Sequence, residues 1–190
     1  QVSSLMGFTE ELLAAGHRPS SQELDKRIVS GSEALCRRLG LPSGSHVVLL
    51  KRLRLVDGMP MGIQTAYLPA GRFPGLERFD FSQVSLYQVL ADEYGVVVST
   101  ARQVYSIGYP DRETAALLGV GTTDPGFVAE RLTFDAEGRP VEFVETFFRG
   151  DRFAVHITLV RKEEGGERGL PGPGRPAGRR RERPGGGVDG

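Results

Sequence analysis

The chain contains an internal repeat in which two stretches resemble each other at a constant offset of 79 residues. Each stretch has a Leu-Gly pair, then a run rich in apolar residues, a turn, and a second such run. The residues that are identical at this offset are Leu39 and Leu118, Gly40 and Gly119, Arg52 and Arg131, and Leu53 and Leu132. Two copies are too few for a solenoid, so we expect two halves of one domain that complete a common sheet.

Both halves are predicted to contain the same elements in the same order. A short helix ends at the Leu-Gly pair, where glycine suits the left-handed conformation beyond the last turn. A strand, a hairpin turn with Asp and Gly, and a returning strand follow. The predicted elements are the helices Ser32–Leu39, Ser85–Tyr94 and Asp111–Leu118 and the strands Gln22–Val29, Val47–Val56, Met61–Leu68, Val96–Tyr105, Phe127–Phe134 and Val141–Phe148. This pattern predicts an α+β fold with a mostly antiparallel sheet and short helices packed on it.

Composition distinguishes the end of the chain from the rest. Residues 163–190 include ten Gly and four Pro and no aromatic residue. Because such a segment cannot bury enough apolar surface to fold, we expect a disordered tail over residues 161–190, and we interpret its Arg179-Arg180-Arg181 cluster as solvated. The 24 Lys and Arg balance the 24 Asp and Glu, which argues against a nucleic-acid-binding surface on the folded part.

Other classes of protein are disfavoured by what the sequence contains. The single cysteine, Cys36, cannot form an internal disulfide, which favours a cytoplasmic protein. The apolar runs are shorter than the roughly 18–20 residues of a membrane span. His17, His46 and His156 lack metal-ligand spacing, and the glycines form neither a phosphate-binding loop nor a dinucleotide fingerprint. We expect no metal, no cofactor and no membrane contact.

The second predicted strand holds the strongest candidates for chemistry. Arg52 and Arg54 are two residues apart, so their side chains project from the same side of the strand, about 6.5–7 Å apart. Val48 and Leu50 precede them on that side. The face is therefore partly apolar and doubly cationic, and it suits an anionic ligand. The alternative is that both arginines are solvated or paired with acids such as Glu142.

The partners of these arginines depend on the hairpin register. A three-residue loop Asp57–Met59 places Gln64 opposite Arg52 and Gly62 opposite Arg54. A two-residue turn instead places Ile63 opposite Arg52.

Three other segments contain further candidates. Glu142 and Phe148 are six residues apart on one predicted strand, so they share a face that either can use to line a pocket. Thr9 precedes a short predicted helix, Glu10–Ala15, whose first N–H groups can hold a phosphate or carboxylate, with simple capping as the alternative. We interpret the charged residues of 149–152 as a structural ion-pair turn.

Short motifs follow one another in a fixed order along the chain. They are Gly7-Phe8-Thr9-Glu10-Glu11, Leu39-Gly40-Leu41-Pro42, Arg52-Leu53-Arg54-Leu55 with Asp57-Gly58, Tyr67-Leu68-Pro69, Ser85-Leu86-Tyr87, Leu118-Gly119-Val120, Asp135 to Pro140, and Phe148-Arg149-Gly150-Asp151-Arg152-Phe153. This ordered set resembles the UTRA effector-binding domain of GntR-family bacterial transcription regulators of the HutC subfamily, which shares its fold with chorismate lyase. The resemblance covers about Ser4 to Leu159.

The resemblance implies a ligand-sensing and dimerising domain over residues 8–160, after a linker remnant at 1–7. In family members the ligand is often a sugar phosphate or another small polar metabolite, and an N-terminal winged helix-turn-helix domain reads DNA. Because no segment before Phe8 is long enough for that domain, we expect no specific DNA binding by this chain alone. The residues that match ligand-binding positions of the family are Phe8, Thr9, Arg52, Arg54, Gln64, Ser85, Glu142 and Phe148.

Two departures from the family pattern bear on the ligand. Sugar-binding relatives carry Glu at the position of Gln64 and Tyr at the position of Phe148, so this chain has one carboxylate and one phenol hydroxyl fewer for hydroxyl-rich ligands. We expect a homodimeric, non-enzymatic sensor of a small anionic metabolite, with a sugar phosphate as one candidate. One alternative is a chorismate lyase-like enzyme that acts on an aromatic carboxylate, and another is a dimerisation module with a degenerate pocket.

Overall fold

Six antiparallel strands form one sheet in the computed structural model, which describes Leu13 and residues 16–154. The strands are β1 (Pro19–Ser30), β2 (His46–Val56), β3 (Met59–Pro69), β4 (Val98–Gly108), β5 (Gly126–Asp135) and β6 (Pro140–Arg149). The helices are α1 (Glu33–Arg38), α2 (Leu86–Tyr94), α3 (Arg112–Leu118) and a single turn of 3-10 helix, Leu76–Arg78. The predicted α+β class with an antiparallel sheet is confirmed.

The order of the strands in the sheet reflects the internal repeat. It runs β1-β2-β3-β6-β5-β4, so the three strands of each half are adjacent and the halves meet where β3 pairs with β6. Helices α1 and α3 take the same place in the two halves, between the first and second strands. The two halves therefore complete one sheet, as the repeat predicts.

Side-chain caps and glycines fix the ends of these helices. The Ser32 hydroxyl accepts a hydrogen bond from the N–H of Leu35, and the Asp111 carboxylate accepts one from the N–H of Thr114. The glycine of each Leu-Gly pair has a positive φ, 65° at Gly40 and 66° at Gly119. Both helices therefore end where the chain enters a conformation that favours glycine.

The hairpin between β2 and β3 differs from both predicted loops. Asp57 and Gly58 have φ values of 52° and 79° and form a two-residue turn, which places Val56 opposite Met59. A bulge then shifts the register, because Leu55 lies opposite Pro60 whereas Arg54 lies opposite Gly62. Met61 is the additional residue of this bulge. The structure thus pairs Arg52 with Gln64, the register of the predicted three-residue loop, through a shorter turn.

Residues on both faces of β2 are buried. The larger core cluster contains the even positions Val48 and Leu50, together with Leu90 of α2. The odd positions Val47 and Leu53 belong to two smaller clusters on the other face. The reason is that helices cover both faces of the sheet at this point, α2 on one and α1 and α3 on the other.

Local packing explains the burial of Cys36 and the position at which β4 begins. Cys36 is buried in α1 as a core residue. β4 begins at Val98 rather than Val96, because α2 ends at Gly95 and the N–H of Val96 bonds to the Leu90 carbonyl, which holds Val96 against the core.

The remaining sequence predictions fall on residues that the structure does not describe. They include Phe8, Thr9, His156, the tail and the domain boundaries, and of the helix Glu10–Ala15 only Leu13 is described, as helical. Within the described residues, no helix has the length and apolar character needed to cross a membrane.

Candidate ligand-binding site

A cavity of about 200 Å³ opens on the face of the sheet that also carries the larger core cluster. The N-terminal end of α2 covers part of this face, and the cavity lies beside it. Side chains from β2 to β6 and the chain after β6 line the cavity. The site therefore draws residues from both halves of the repeat.

Strand pairing arranges the lining residues in rows across the sheet. In one row Arg52 pairs with Gln64, Gln64 with Thr146, Thr146 with Ala129, and Ala129 with Tyr105. All five line the cavity. The row changes from charged and polar at β2 to aromatic at β4.

The neighbouring row also changes from a charged side chain at β2 to apolar side chains at β6, β5 and β4. Arg54 pairs with Gly62, Gly62 with Phe148, Phe148 with Phe127, and Phe127 with Ile107. Gly62 leaves no side chain between the arginine and the first phenylalanine. Each row therefore begins with a guanidinium group and ends in apolar side chains.

The two guanidinium groups are buried, which overturns the alternative that they are solvated. Arg52 is 6% exposed and Arg54 is 3% exposed. The Nη2 of Arg52 donates to Oε1 of Gln64 over 2.6 Å, and the Nη1 of Arg54 donates to Oγ of Ser21 over 2.6 Å. Among the described residues, the buried Nε of Arg52 has no hydrogen-bond partner. A buried donor that is left unpaired in this way is costly to the fold.

Burial makes both positive charges costly. It lowers the pKa of Arg52, and nearby Glu142 offsets part of this effect. Burial, followed by repulsion from Arg52, lowers the pKa of Arg54 to about 9. Both shifts have the direction expected for cations that lack sufficient negative charge around them.

Glu142 is the counter-charge in the cavity, and it is already engaged. Its side chain is buried, and Oε1 accepts a hydrogen bond from the Tyr87 hydroxyl over 2.6 Å and one from Oγ1 of Thr133 over 3.4 Å. Burial raises the pKa of Glu142 even though these hydrogen bonds and the nearby Arg131 and Arg52 favour its ionised form. Burial also raises the pKa of Tyr87.

The charge balance of the cavity is positive. Among the described residues, the charged side chains that line it are Arg52, Arg54, Arg131 and Glu142. Arg131 donates from Nε to Oε1 of Gln103. Three cations against one carboxylate leave an excess of positive charge where water is partly excluded. An anionic group is the ligand chemistry that compensates such an excess.

The N-terminal end of α2 adds further donors at the edge of the cavity. Ser85, Leu86 and Tyr87 all line it. Ser85 is the N-cap residue, but its side chain makes no capping hydrogen bond, in contrast to the caps of α1 and α3. The hydroxyl and the first helical N–H groups can therefore serve a bound group.

The structure brings together most of the predicted site residues. Arg52, Arg54, Gln64, Ser85, Glu142 and Phe148 all line this cavity. Phe8 and Thr9 lie outside the described residues. The predicted ion-pair turn also forms, with Arg149 donating from Nε and Nη2 to the two oxygens of Asp151 over 3.0 and 2.8 Å.

The cavity is also lined by residues that were not among the predicted site residues, chiefly Arg131, Tyr87, Tyr105 and Phe153. A signal existed for Arg131, because it is the residue equivalent to Arg52 in the internal repeat. Tyr87 and Phe153 lie in two of the short motifs that resemble the family, but the resemblance assigns no ligand-binding role to either residue. Tyr105 had no comparable signal.

The described histidines do not take part in this site. His17 lies on the surface, where Nδ1 is 2.9 Å from Oδ2 of Asp57. His46 is exposed at the start of β2. In the part of the chain that the structure describes, no three His, Cys, Asp or Glu side chains are grouped to hold a metal ion.

Comparison with known proteins places this geometry in a family. The UTRA domain model matches residues 14–154. The HTH-type transcriptional repressor PhnF of Mycolicibacterium smegmatis is 34% identical over 135 residues, which are 70% of this chain and 54% of that protein. The HTH-type transcriptional repressor NagR of Bacillus subtilis is 28% identical over 156 residues, which are 82% of this chain and 64% of that protein. The chain thus spans less than two thirds of the length of either relative.

Solved structures agree with this relationship. The crystal structure of the effector domain of PhnF from Mycobacterium smegmatis matches with a TM-score of 0.78 at 28% identity and covers 82% of this chain and 95% of that one. On the family match and these relatives, the chain belongs to the UTRA domain family, the effector domains of HutC-type regulators in the GntR family.

Proposed function

We propose that the chain is the effector-sensing and dimerisation domain of a GntR-type transcription regulator, and that it binds a small anionic metabolite in the cavity beside Arg52 and Arg54. The observation that carries this proposal is the burial of two guanidinium groups on one face of β2, at 6% and 3% exposure, with a single carboxylate among the described residues that line the same cavity. A bound anion would offset the cost of burying these charges.

The proposed contacts follow from the hydrogen bonds that the cavity leaves open. The Nε of Arg52 donates to the anion, because it has no partner among the described residues. Arg54 contributes its charge, and Ser85 contributes its hydroxyl at the N-terminal end of α2. Gln64, Glu142 and Phe148 face the remainder of the ligand. Phe8 and Thr9 stay candidates from the family resemblance alone.

The proposed DNA-binding function belongs to a part of the protein outside this chain. The two relatives named above are HTH-type transcriptional repressors, and the chain matches 54% and 64% of their lengths. We propose that a winged helix-turn-helix domain is joined to this one, and that the protein acts as a homodimer in the cytoplasm. Ligand binding would then change the placement of the two DNA-reading domains.

A non-enzymatic role is proposed because the relatives are named as regulators. Glu142, the carboxylate in the cavity, already accepts hydrogen bonds from Tyr87 and Thr133. These bonds suit a fixed counter-charge better than a group that must move a proton. Incubation with chorismate followed by product analysis checks this point, and we expect no turnover.

Anion titration by isothermal calorimetry tests the proposal. Inorganic phosphate and sulfate are titrated into the 190-residue chain and into an Arg52→Ala, Arg54→Ala double variant. We expect saturable binding that the double substitution weakens about a hundredfold, as loss of charged hydrogen bonds implies. The matched control removes two exposed arginines of the same fold, Arg27→Ala with Arg37→Ala, and should leave the affinity unchanged. Equal affinity in the wild type and the double variant would exclude the site.

A further inference from the structure

The end of the cavity opposite the arginines is built from aromatic rings. Phe148 and Phe153 are stacked, with ring centroids 4.1 Å apart and planes 6° from parallel. Phe153 also contacts Tyr105 at 6.0 Å and Phe127 at 5.4 Å between centroids. Tyr105, Phe148 and Phe153 line the cavity, and Phe127 supports them from the side. We refer to Tyr105, Phe148 and Phe153 as the aromatic shelf.

The turn after β6 fixes the position of Phe153. The N–H of Phe153 bonds to the carbonyl of Arg149 over 3.1 Å, and Arg149 is itself held by both oxygens of Asp151. Gly150 permits this path, since a Cβ there would lie 2.3 Å from the carbonyl oxygen of Pro125. The turn therefore holds Phe153 in place, and the stacked rings of Phe148 and Phe153 offer an apolar surface.

The shelf and the cations face one common space. Arg54 and Phe148 are two strands apart in the same row, with Gly62 between them. Neighbouring strands lie about 4.8 Å apart, so the two Cα atoms are separated by about 10 Å. No side chain of β3 stands in this row. A group that is attached to an anion held at Arg54 can therefore extend along the row to the rings.

From this arrangement, and resting on the proposed function, we infer that the effector is an amphipathic anion, in which an oxyanion group is joined to a flat apolar group of about phenyl size. The arginines hold the oxyanion, and the shelf packs against the flat group. Aromatic faces stack well on one another but provide no conventional hydrogen bonds. A hydroxyl-rich group packed on the rings of Phe148 and Phe153 would lose hydrogen bonds to water without replacing them.

Matched ligands test this inference by isothermal calorimetry on the 190-residue chain. Methyl phosphate is compared with phenyl phosphate, acetate with benzoate, and glucose 6-phosphate is the hydroxyl-rich probe. We expect the phenyl ligand of at least one pair to bind at least about tenfold more tightly than its methyl counterpart, as the additional apolar area implies. We expect glucose 6-phosphate to bind no more tightly than methyl phosphate.

Substitutions then assign the preference to the shelf. Phe153→Leu should reduce the phenyl-to-methyl ratio about threefold or more, and Phe153→Tyr, which keeps a flat ring, should retain the ratio. Tyr67→Leu is the matched control, because Tyr67 is stacked on Phe143 in a core cluster on the other face. It should also retain the ratio.

The outcomes separate this inference from the proposed function. Phosphate binding that depends on Arg52 and Arg54, without any preference for phenyl ligands, would overturn the amphipathic effector and leave the anion sensor intact. A phenyl preference that Phe153→Leu does not reduce would also overturn it. Absence of saturable binding by every anion would overturn both proposals.

Discussion

Arg52 and Arg131 occupy equivalent positions in the two halves of the sheet, 79 residues apart in the sequence, and both side chains line the same cavity. Each is on the second strand of its half, and each binds the side-chain amide oxygen of a glutamine on a neighbouring strand. The two halves therefore contribute one cation each from matching places. The second half of the repeat thus adds a third cation, Arg131, to the two arginines of β2.

Arg131→Gln should weaken the binding of inorganic phosphate about three- to tenfold, because one positive charge that lines the cavity is lost. The effect is expected to be smaller than that of losing Arg52, since the Nε of Arg131 already bonds to Gln103. Calorimetric titration measures the phosphate affinity of the Arg131 variant and of the Arg52 variant. Arg102→Gln serves as the control, because Arg102 is exposed, packs over Phe134 and does not line the cavity. A loss of affinity as large in Arg102→Gln would contradict this interpretation.

Arg54→Met should make the ligand-free chain more stable while it abolishes strong anion binding. The buried cation is repelled by Arg52, so an apolar side chain of similar length removes both desolvation and repulsion. Loss of the hydrogen bond to Ser21 offsets part of this gain. We expect a net increase of about 1 kcal/mol in the free energy of unfolding, measured by urea denaturation. The control substitution Arg37→Met, at an exposed arginine, should change the free energy of unfolding little. A large decrease for Arg54→Met would show that Arg54 stabilises the fold.

Anion affinity should increase as the pH falls below neutrality. Burial raises the pKa of Glu142, so this carboxyl becomes protonated at a higher pH than an exposed glutamate. Protonation of Glu142 removes a negative charge beside the bound anion. Sulfate is the suitable probe, because it keeps its own charge between about pH 5 and about pH 8.

Glu142→Gln supplies the control for this pH dependence. The amide can still accept the hydrogen bond from Tyr87 but cannot ionise. Sulfate should bind this variant more tightly than the wild type at neutral pH, with a flatter pH profile. An equal slope in both proteins would assign the titration to a group other than Glu142.

Gly62→Ala should destabilise the sheet at the centre of the site. A Cβ at this position would lie 2.7 Å from the carbonyl oxygen of Phe147 and 3.0 Å from Cδ1 of Phe148. Such overpacking costs about 1–3 kcal/mol, which urea denaturation detects. Gly71→Ala is the control, since a Cβ there meets nothing within 4 Å. An equal and small effect for both substitutions would show that β3 and β6 can separate without penalty.

Much of the fold follows from local patterns in the sequence. The repeat predicts two similar halves, and the Leu-Gly pairs predict the ends of α1 and α3, because these signals act over a few residues. The face shared by Arg52 and Arg54 is equally local, since alternation along a strand determines it. Glu142 and Phe148 share a face for the same reason.

The features that could not be predicted depend on longer-range packing. The register of β2 and β3 results from a two-residue turn combined with a bulge at Met61, and neither predicted loop contained both. Phe153 lies beyond the end of a strand, so its place on the shelf depends on how the Arg149–Asp151 turn closes. The burial of the arginines required knowledge of what covers that face of the sheet.

The most direct measurement observes the arginine side chains themselves during anion binding. In a ¹H–¹⁵N NMR titration of the 190-residue chain with inorganic phosphate, the Nε–H signals of Arg52 and Arg54 are followed after assignment by single substitution. We expect both signals to shift saturably, because both side chains line the cavity. Signals from exposed arginines such as Arg37 should move little. Unchanged signals from Arg52 and Arg54, or shifts confined to exposed arginines, would contradict anion sensing in this cavity.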